Sequence, residues 1–240
     1  MEQTFADYPV YDAVKNVSSS FKETHEDFEL YRKLEQYRED GTDLSKLKGD
    51  RSWNLDKWKF VPMVHATYEM APDYIDWFVY IEADTSLAWV NLMNWLKTMN
   101  PKKPYYLGSQ NVIGETTFGH GGSGIVVSRK AQKMLAEYRK QAGEESYDKE
   151  WEQITSNSCC GDEVLAKAFL QADVPLTAAW PILQGEKMAT VDFTERHWCS
   201  PPVAMHHVSP VEVNSLWQFQ TSWVESHVSC REVILNLFSI

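Results

Sequence analysis

Two carboxylates set two residues apart, Glu82 and Asp84 of Glu82-Ala83-Asp84, follow the strand-forming run Asp76-Trp77-Phe78-Val79-Tyr80-Ile81. Residues two apart in a strand face the same side, so both can address one hard cation such as Mn²⁺ or Mg²⁺, directly or through water. Acidic triplets are common, and what distinguishes this one is its place at the C-terminal edge of a strand, where open α/β sheets bind ligands. His206-His207 follows Pro201-Pro202 in a loop, where one imidazole can complete the coordination of an ion held by carboxylates. Spacing alone does not choose between the two rings. Gly121-Gly122-Ser123-Gly124 has neither the G-x-G-x-x-G nor the Walker spacing, so it reads as a close backbone approach. That approach is either a tight turn or a loop beside a bound substrate, where side chains would obstruct. Asp162 opens an apolar-periodic segment, where capping and compensation of the helix dipole are the usual roles of an aspartate; catalysis by it needs further support.

These residues need elements to position them. The run 76–81 is nearly continuous in strand formers, the pattern of a strand buried on both faces of an α/β sheet. Thr85 or Ser86 can cap a following helix that carries Leu87, Val90, Leu92 and Leu96 and stops before Asn100-Pro101. Upstream, Trp58, Val61, Val64 and Tyr68 fall near helical spacing over Leu55 to Met70, with Pro62 either kinking the helix or marking a late start, and Pro72 ending it. Tyr105 to Gly108 and Gly124 to Ser128 read as short strands, and Arg129 to Gln141 and Asp162 to Ala172 as amphipathic helices. The fold class expected is α/β with a mixed sheet flanked by helices. Residues 18–51 are dense in charge and read as a solvated helix and loop.

With 240 residues, 43% of them hydrophobic, the chain can bury a substantial core. A net charge of −11 and the lack of a basic cluster argue against nucleic acid as a partner. No apolar stretch reaches the roughly 20 residues that span a bilayer, and the N-terminus shows neither a basic leader nor an apolar run. The expectation is therefore a cytosolic chain or one whose leader is absent. Cys159, Cys160, Cys199 and Cys230 contain no C-x-x-C pair, which removes zinc-ribbon and thioredoxin-type readings and leaves room for one or two disulfides. Asn16-Val17-Ser18 is an N-glycosylation acceptor pattern, weak support for a secretory setting.

Taken in order, the segments resemble the fringe-like and core 1 β-1,3-galactosyltransferase family of inverting glycosyltransferases. Trp77-Phe78 with Glu82-Ala83-Asp84-Thr85 resembles its strand and Asp-x-Asp motif, and Asn91-Leu92 with Trp95-Leu96 its next helix. Pro104 to Gly108 resembles the next strand, and Gly121-Gly122-Ser123-Gly124 through Ala131 is similar to the Gly-Gly-Ala-Gly block, the most specific match. Gly161-Asp162-Glu163-Val164 looks like the segment bearing the catalytic base, and Ala204-Met205-His206-His207-Val208 like the region of the metal-binding histidine, which selects His206. Leu55 to Phe60 looks like a fungal variant. Glu82 stands where aspartate is more usual, and Ser86 replaces a usual aromatic.

The resemblance implies a GT-A-like domain over residues 53–240, preceded by a charged segment, 1–52, that is a remnant of the nucleotide-binding half. The first nucleotide-binding strands have no counterpart here, so the chain is expected to be N-terminally truncated and to turn over poorly. Its N-terminal segment is expected to pack over the sheet edge left near Trp77 to Ile81, or the isolated chain to be poorly soluble. The resemblance further implies a UDP-sugar donor, a glycan or glycoprotein acceptor, Mn²⁺ (or Mg²⁺) on Glu82, Asp84 and His206, and Asp162 as base. Gly121, Gly122, Ser123 and Gly124 would lie beside the substrate. A Golgi or secretory setting and β-1,3 transfer of a hexose, galactose in the nearest analogy, complete the picture. The alternative is a truncated, non-catalytic protein that binds glycan or UDP. A metal hydrolase using His206 and His207 is disfavoured, because neither H-E-x-x-H nor a third nitrogen ligand accompanies them.

Overall fold

The computed structural model describes residues 3–5, 8–44, 47, 52–192 and 194–227. A hairpin of β1 (Gln3–Phe5) and β2 (Tyr8–Val10) opens the chain, followed by helices α1 (Ser19–Thr24), α2 (Glu29–Glu39) and α3 (Ser52–Asp56). A 3₁₀ turn, Lys57–Lys59, leads into α4 (Phe60–Met70), so Pro62 sits in the first turn of α4, where its missing N–H costs nothing. Of the two roles left open for Pro62, the structure takes the late start. Next come β3 (Trp77–Tyr80), β4 (Ser86–Leu87), α5 (Trp89–Leu96), β5 (Tyr106–Gly108) and a hairpin of β6 (Gln110–Ile113) and β7 (Thr116–Gly119). The chain continues through β8 (Ile125–Ser128), α6 (Arg129–Ala142), α7 (Glu144–Asn157), α8 (Gly161–Gln171), β9 (Leu176–Ala178), α9 (Glu195–Trp198), β10 (Ala204–Met205) and α10 (Pro210–His227).

The central sheet runs β3-β8-β5-β9 and is mixed: β8 is antiparallel to β3 and β5, while β5 and β9 are parallel. Alternation along β8 distributes its side chains between two cores. Ile125 and Val127 join Phe60, Val64, Phe78, Tyr106, Leu135, Trp151 and Phe169 under α4, α6, α7 and α8. Val126 faces the other way, with Leu92 and Leu96 of α5 and with Leu107, Leu183 and Val203. The mixed α/β architecture flanked by helices is the one expected. Two details differ. Strand β3 has a core on each face, Phe78 and Tyr80 toward one and Trp77 and Val79 toward the other, as its unbroken apolar run reads, but it lies at the sheet edge and only Phe78 is fully buried. An apolar run records the hydrophobicity of both faces, not the number of neighbouring strands.

The second difference lies just after β3. Glu82-Ala83-Asp84 forms a turn closed by Thr85 N–H donating to the Glu82 carbonyl (3.0 Å), not the continuation of a strand. Thr85 and Ser86 do not cap α5, whose N-cap is Ala88. Ser86 instead enters β4, which pairs with β10 (Ser86 opposite Met205) and so brings 82–84 against 206–207. Among the N-terminal residues α2 presents no buried side chain, in keeping with a solvated face, but Val14, Val17 and Phe28 bury themselves around Trp58. That cluster gathers on Trp58 rather than on the β3 edge expected to receive it.

His65 on α4 is 7% exposed, and its Nε2 lies 3.2 Å from the Tyr147 hydroxyl. Burial first, then the nearby Arg139 guanidinium, lower its pKa to about 4. The unfolded chain takes the proton near pH 6.5 and the fold only near 4, so this contribution is complete above pH 6.5 and is lost as the pH falls toward 4. The loss is on the order of 3 kcal/mol. Denaturant unfolding at pH 7 and pH 4.5 measures it, and His65→Gln, which does not titrate, is expected to flatten the difference.

Candidate active site

A cleft of about 720 Å³ contains Glu82, Asp84, His120, Asp162, His206 and His207 along its walls. The 82–84 turn is tied to its surroundings at both ends. Thr85 Oγ1 donates to the Gly122 carbonyl (2.8 Å), and Val208 N–H donates to the Asp84 carbonyl (2.9 Å). Behind it, Ala88 N–H donates to the Val203 carbonyl (2.7 Å) and Asn91 Nδ2 to the Pro202 carbonyl (2.8 Å), which holds the segment leading to His206.

Side chains then converge. His206 Nε2 lies 3.4 Å from Asp84 Oδ1 and 3.9 Å from Glu82 Oε2, and His207 Nδ1 lies 3.6 Å from Asp84 Oδ2. Glu82 Oε1 is 3.7 Å from Lys59 Nζ, and Lys59 also pairs with Asp56. His206 is 6% exposed, whereas His207 is largely exposed on a residue in the left-handed region at φ 56°. The two rings are 3.8 Å apart between centroids, and His120 meets His206 edge-on at 5.2 Å.

Electrostatics follow from burial. Desolvation is the largest cause that raises the pKa of Glu82, with Lys59 opposing it, and it lowers that of His206, with Asp84 opposing it. A neutral imidazole facing two carboxylates is the form that binds metal. Among the described residues, Asp84, His206 and His207 each offer a ligand atom, all within 4.8 Å of one another. Buried His206 Nδ1 has no hydrogen-bond partner, and Nε2 faces carboxylate oxygens at 3.4 and 3.9 Å. A divalent cation accepting one nitrogen and carboxylate oxygens fits this donor set.

Asp162 occupies the first turn of α8, where Cys160 is the N-cap. Its Oδ2 accepts the Gly121 N–H (2.9 Å) and its Oδ1 the Glu163 N–H (2.9 Å), so the side chain both serves its own helix and reaches across to the glycine loop. Burial raises its pKa most, and the hydrogen bond from Gly121 pulls it back down.

The glycine loop is crowded by protein. A Cβ on Gly122 would overlap the His206 imidazole, and one on Gly121 would lie 2.9 Å from Phe60 Cζ. Gly124 has φ 85°, and Ser123 Oγ lies 2.7 Å from His120 Nδ1. His120 itself, and the approach of His207 as well as His206 to Asp84, are what the motifs in the sequence do not single out. His120 adjoins the glycine block, and that adjacency is the available signal. Cys159 and Cys160 are joined as a vicinal disulfide, Cys199 is free and exposed, and Cys230 lies outside the described residues.

A mixed sheet between helices, with an acidic turn and a histidine at one edge, is consistent with the GT-A-like class. A family model described as Fringe-like matches residues 49–180, more than half of the chain, and the protein belongs to that family. By family it is a glycosyltransferase. The match spans Glu82, Asp84, the glycine block and Asp162, while His206 lies beyond it. Comparison with curated proteins gives no match.

Because Gly122 stands against the His206 ring, Gly122→Ala is expected to displace that imidazole. Titration with Mn²⁺, followed by calorimetry or paramagnetic broadening, should show affinity reduced about 10-fold or more, the scale of disturbing a residue that orients a ligand.

Proposed function

We propose that this chain carries the metal-binding and catalytic part of an inverting glycosyltransferase that moves a hexose, galactose in the nearest analogy, from a UDP-sugar to a hydroxyl of a glycan or glycoprotein, in β-1,3 linkage. The observation that carries this reading is that Glu82, Asp84 and His206 meet in the same cleft as Asp162. The secretory pathway is the matching setting, and no helix among the described residues is long and apolar enough to cross a membrane.

Asp84, Glu82 and His206 would hold Mn²⁺ or Mg²⁺, with His207 at hand beside Asp84; the ion supplies charge stabilisation for the departing diphosphate. Asp162 takes the proton of the acceptor hydroxyl. The hydroxyl oxygen bonds to the anomeric carbon as the bond from that carbon to the UDP oxygen breaks, and approach from the opposite face inverts the centre. The Gly121 N–H fixes one oxygen of Asp162 and the Glu163 N–H the other, which sets the direction in which the carboxylate can receive a proton. In this reading Gly121, Gly122, Ser123 and Gly124 lie beside the substrate; the Gly121 N–H donates to the base, and a Cβ on Gly122 would overlap the His206 ring.

The test uses purified chain with UDP-galactose, Mn²⁺ and a GalNAc-type acceptor, under single-turnover conditions. Turnover below about 1 s⁻¹, the low end of enzyme rates, is expected. Asp162→Asn is expected to lower transfer a further 10²-fold or more, the range of a general base, with Mn²⁺ and UDP affinities unchanged. Chelation by EDTA should abolish transfer and Mn²⁺ restore it. Saturable UDP binding with no transfer from the unsubstituted chain would instead identify a non-catalytic binding protein.

A further inference from the structure

Lys57 is one of the few buried charges among the described residues, with its side chain 9% exposed. An ammonium has three donors, and all three have acceptors here. Nζ lies 2.8 Å from Asp27 Oδ2, 3.0 Å from the Ser158 carbonyl and 3.5 Å from the Ser156 carbonyl. The last two belong to the end of α7 and the residue after it, where helix carbonyls lack intrahelical partners and a cation is favourable. Asp27, 4% exposed, is held in turn: its Oδ2 accepts Trp58 Nε1–H (2.9 Å), and its backbone N–H donates to His25 Nδ1 (3.3 Å). A second tie runs from Ser18 N–H to Glu152 Oε1 on α7 (2.7 Å).

Ser158 leads directly into Cys159-Cys160-Gly161-Asp162. Gly161 lies on the backbone of Lys57 so closely that a Cβ there would overlap the Lys57 carbonyl and the Phe60 ring. Lys57 therefore grips this turn twice, through its side chain at Ser156 and Ser158 and through its backbone at Gly161. A buried ion pair is not an economical source of stability, since apolar residues of similar volume serve as well. What it does supply is a fixed geometry.

We propose that Lys57, oriented by Asp27 of the N-terminal segment, is a positioning residue for Asp162: it sets the 156–162 turn so that the carboxylate meets the Gly121 N–H and faces the cleft. Asp27 lies outside the stretch that matches the family model, so this chain's own N-terminal segment completes the support of its base. The inference rests on the catalytic reading of Asp162.

The experiment compares the unsubstituted chain with Lys57→Met, with the paired Asp27→Asn/Lys57→Met and with Asp162→Asn. Lys57→Met alone leaves the Asp27 carboxylate buried without its cation and can prevent folding; the paired variant removes both charges and is expected to keep near-normal thermal stability. In the paired variant, hydrogen exchange should accelerate at residues 158–163, and kcat should fall about 10-fold or more, since misplacement by about 1 Å can cost 10²-fold. Dissociation constants for Mn²⁺ and UDP should stay within about twofold, which a general loss of structure would not allow. A folded paired variant with unchanged exchange at 158–163, or with unchanged kcat, would overturn the proposal. Full transfer by Asp162→Asn would sink the base assignment instead, and the exchange data would then decide whether Lys57 holds the turn.

Discussion

The imidazole of His206 rests on the bare backbone of Gly122, and the arrangement of the site depends on that contact. No other residue type fits, because any Cβ at position 122 would occupy the ring's own space. The same short loop makes two further bonds: its Gly122 carbonyl accepts from Thr85, which anchors the Glu82-to-Asp84 turn, and its Gly121 N–H donates to Asp162. Three segments distant in sequence, at 82–85, 162 and 206, are thus referenced to one pair of glycines. The loop's closeness to protein also explains why it has almost no exposed surface, although it borders the cleft.

Burial gives the site its electrostatic character. The chain carries 34 acidic against 23 basic residues, yet Glu82, His206 and Asp162 are shifted toward their neutral forms by desolvation. The compensating groups are few and specific: Lys59 beside Glu82, Asp84 beside His206, and the Gly121 amide on Asp162. Two carboxylates facing the Nε2 of a neutral imidazole form a donor set that suits a cation.

The charged N-terminal stretch is joined to the rest by buried contacts. Phe28, Val14 and Val17 pack on Trp58, and Asp27 pairs with Lys57, so these contacts cross the expected boundary between residues 52 and 53. High charge density describes α2 well, since none of its side chains is fully buried, but it hides the apolar and paired positions beside it and Tyr31 within it, which packs against the Trp58 cluster. Composition averages over a window, whereas burial is decided residue by residue.

Local pattern is enough for the elements with strong periodicity. Helices near 129–141 and 162–172 and strands near 105–108 and 124–128 are legible because helical spacing and β-branched runs are short-range properties. The acidic triplet, the glycine block and Asp162 are legible as motifs, and their order along the chain carries the family resemblance. The pairing of β4 with β10 is not legible, since each is two residues long and the register joins positions more than a hundred residues apart. Nor is the turn at 82–84, where the strand pleat is the wrong reason for two carboxylates to share a side. The meeting of His206 with Asp84 is implied by the resemblance, but its contacts with His207, His120 and Gly122, and the grip of Lys57 on the turn before Asp162, exist only once the chain is packed. Sequence encodes which groups are available, while distances between remote groups are set by how helices and strands fill space against one another.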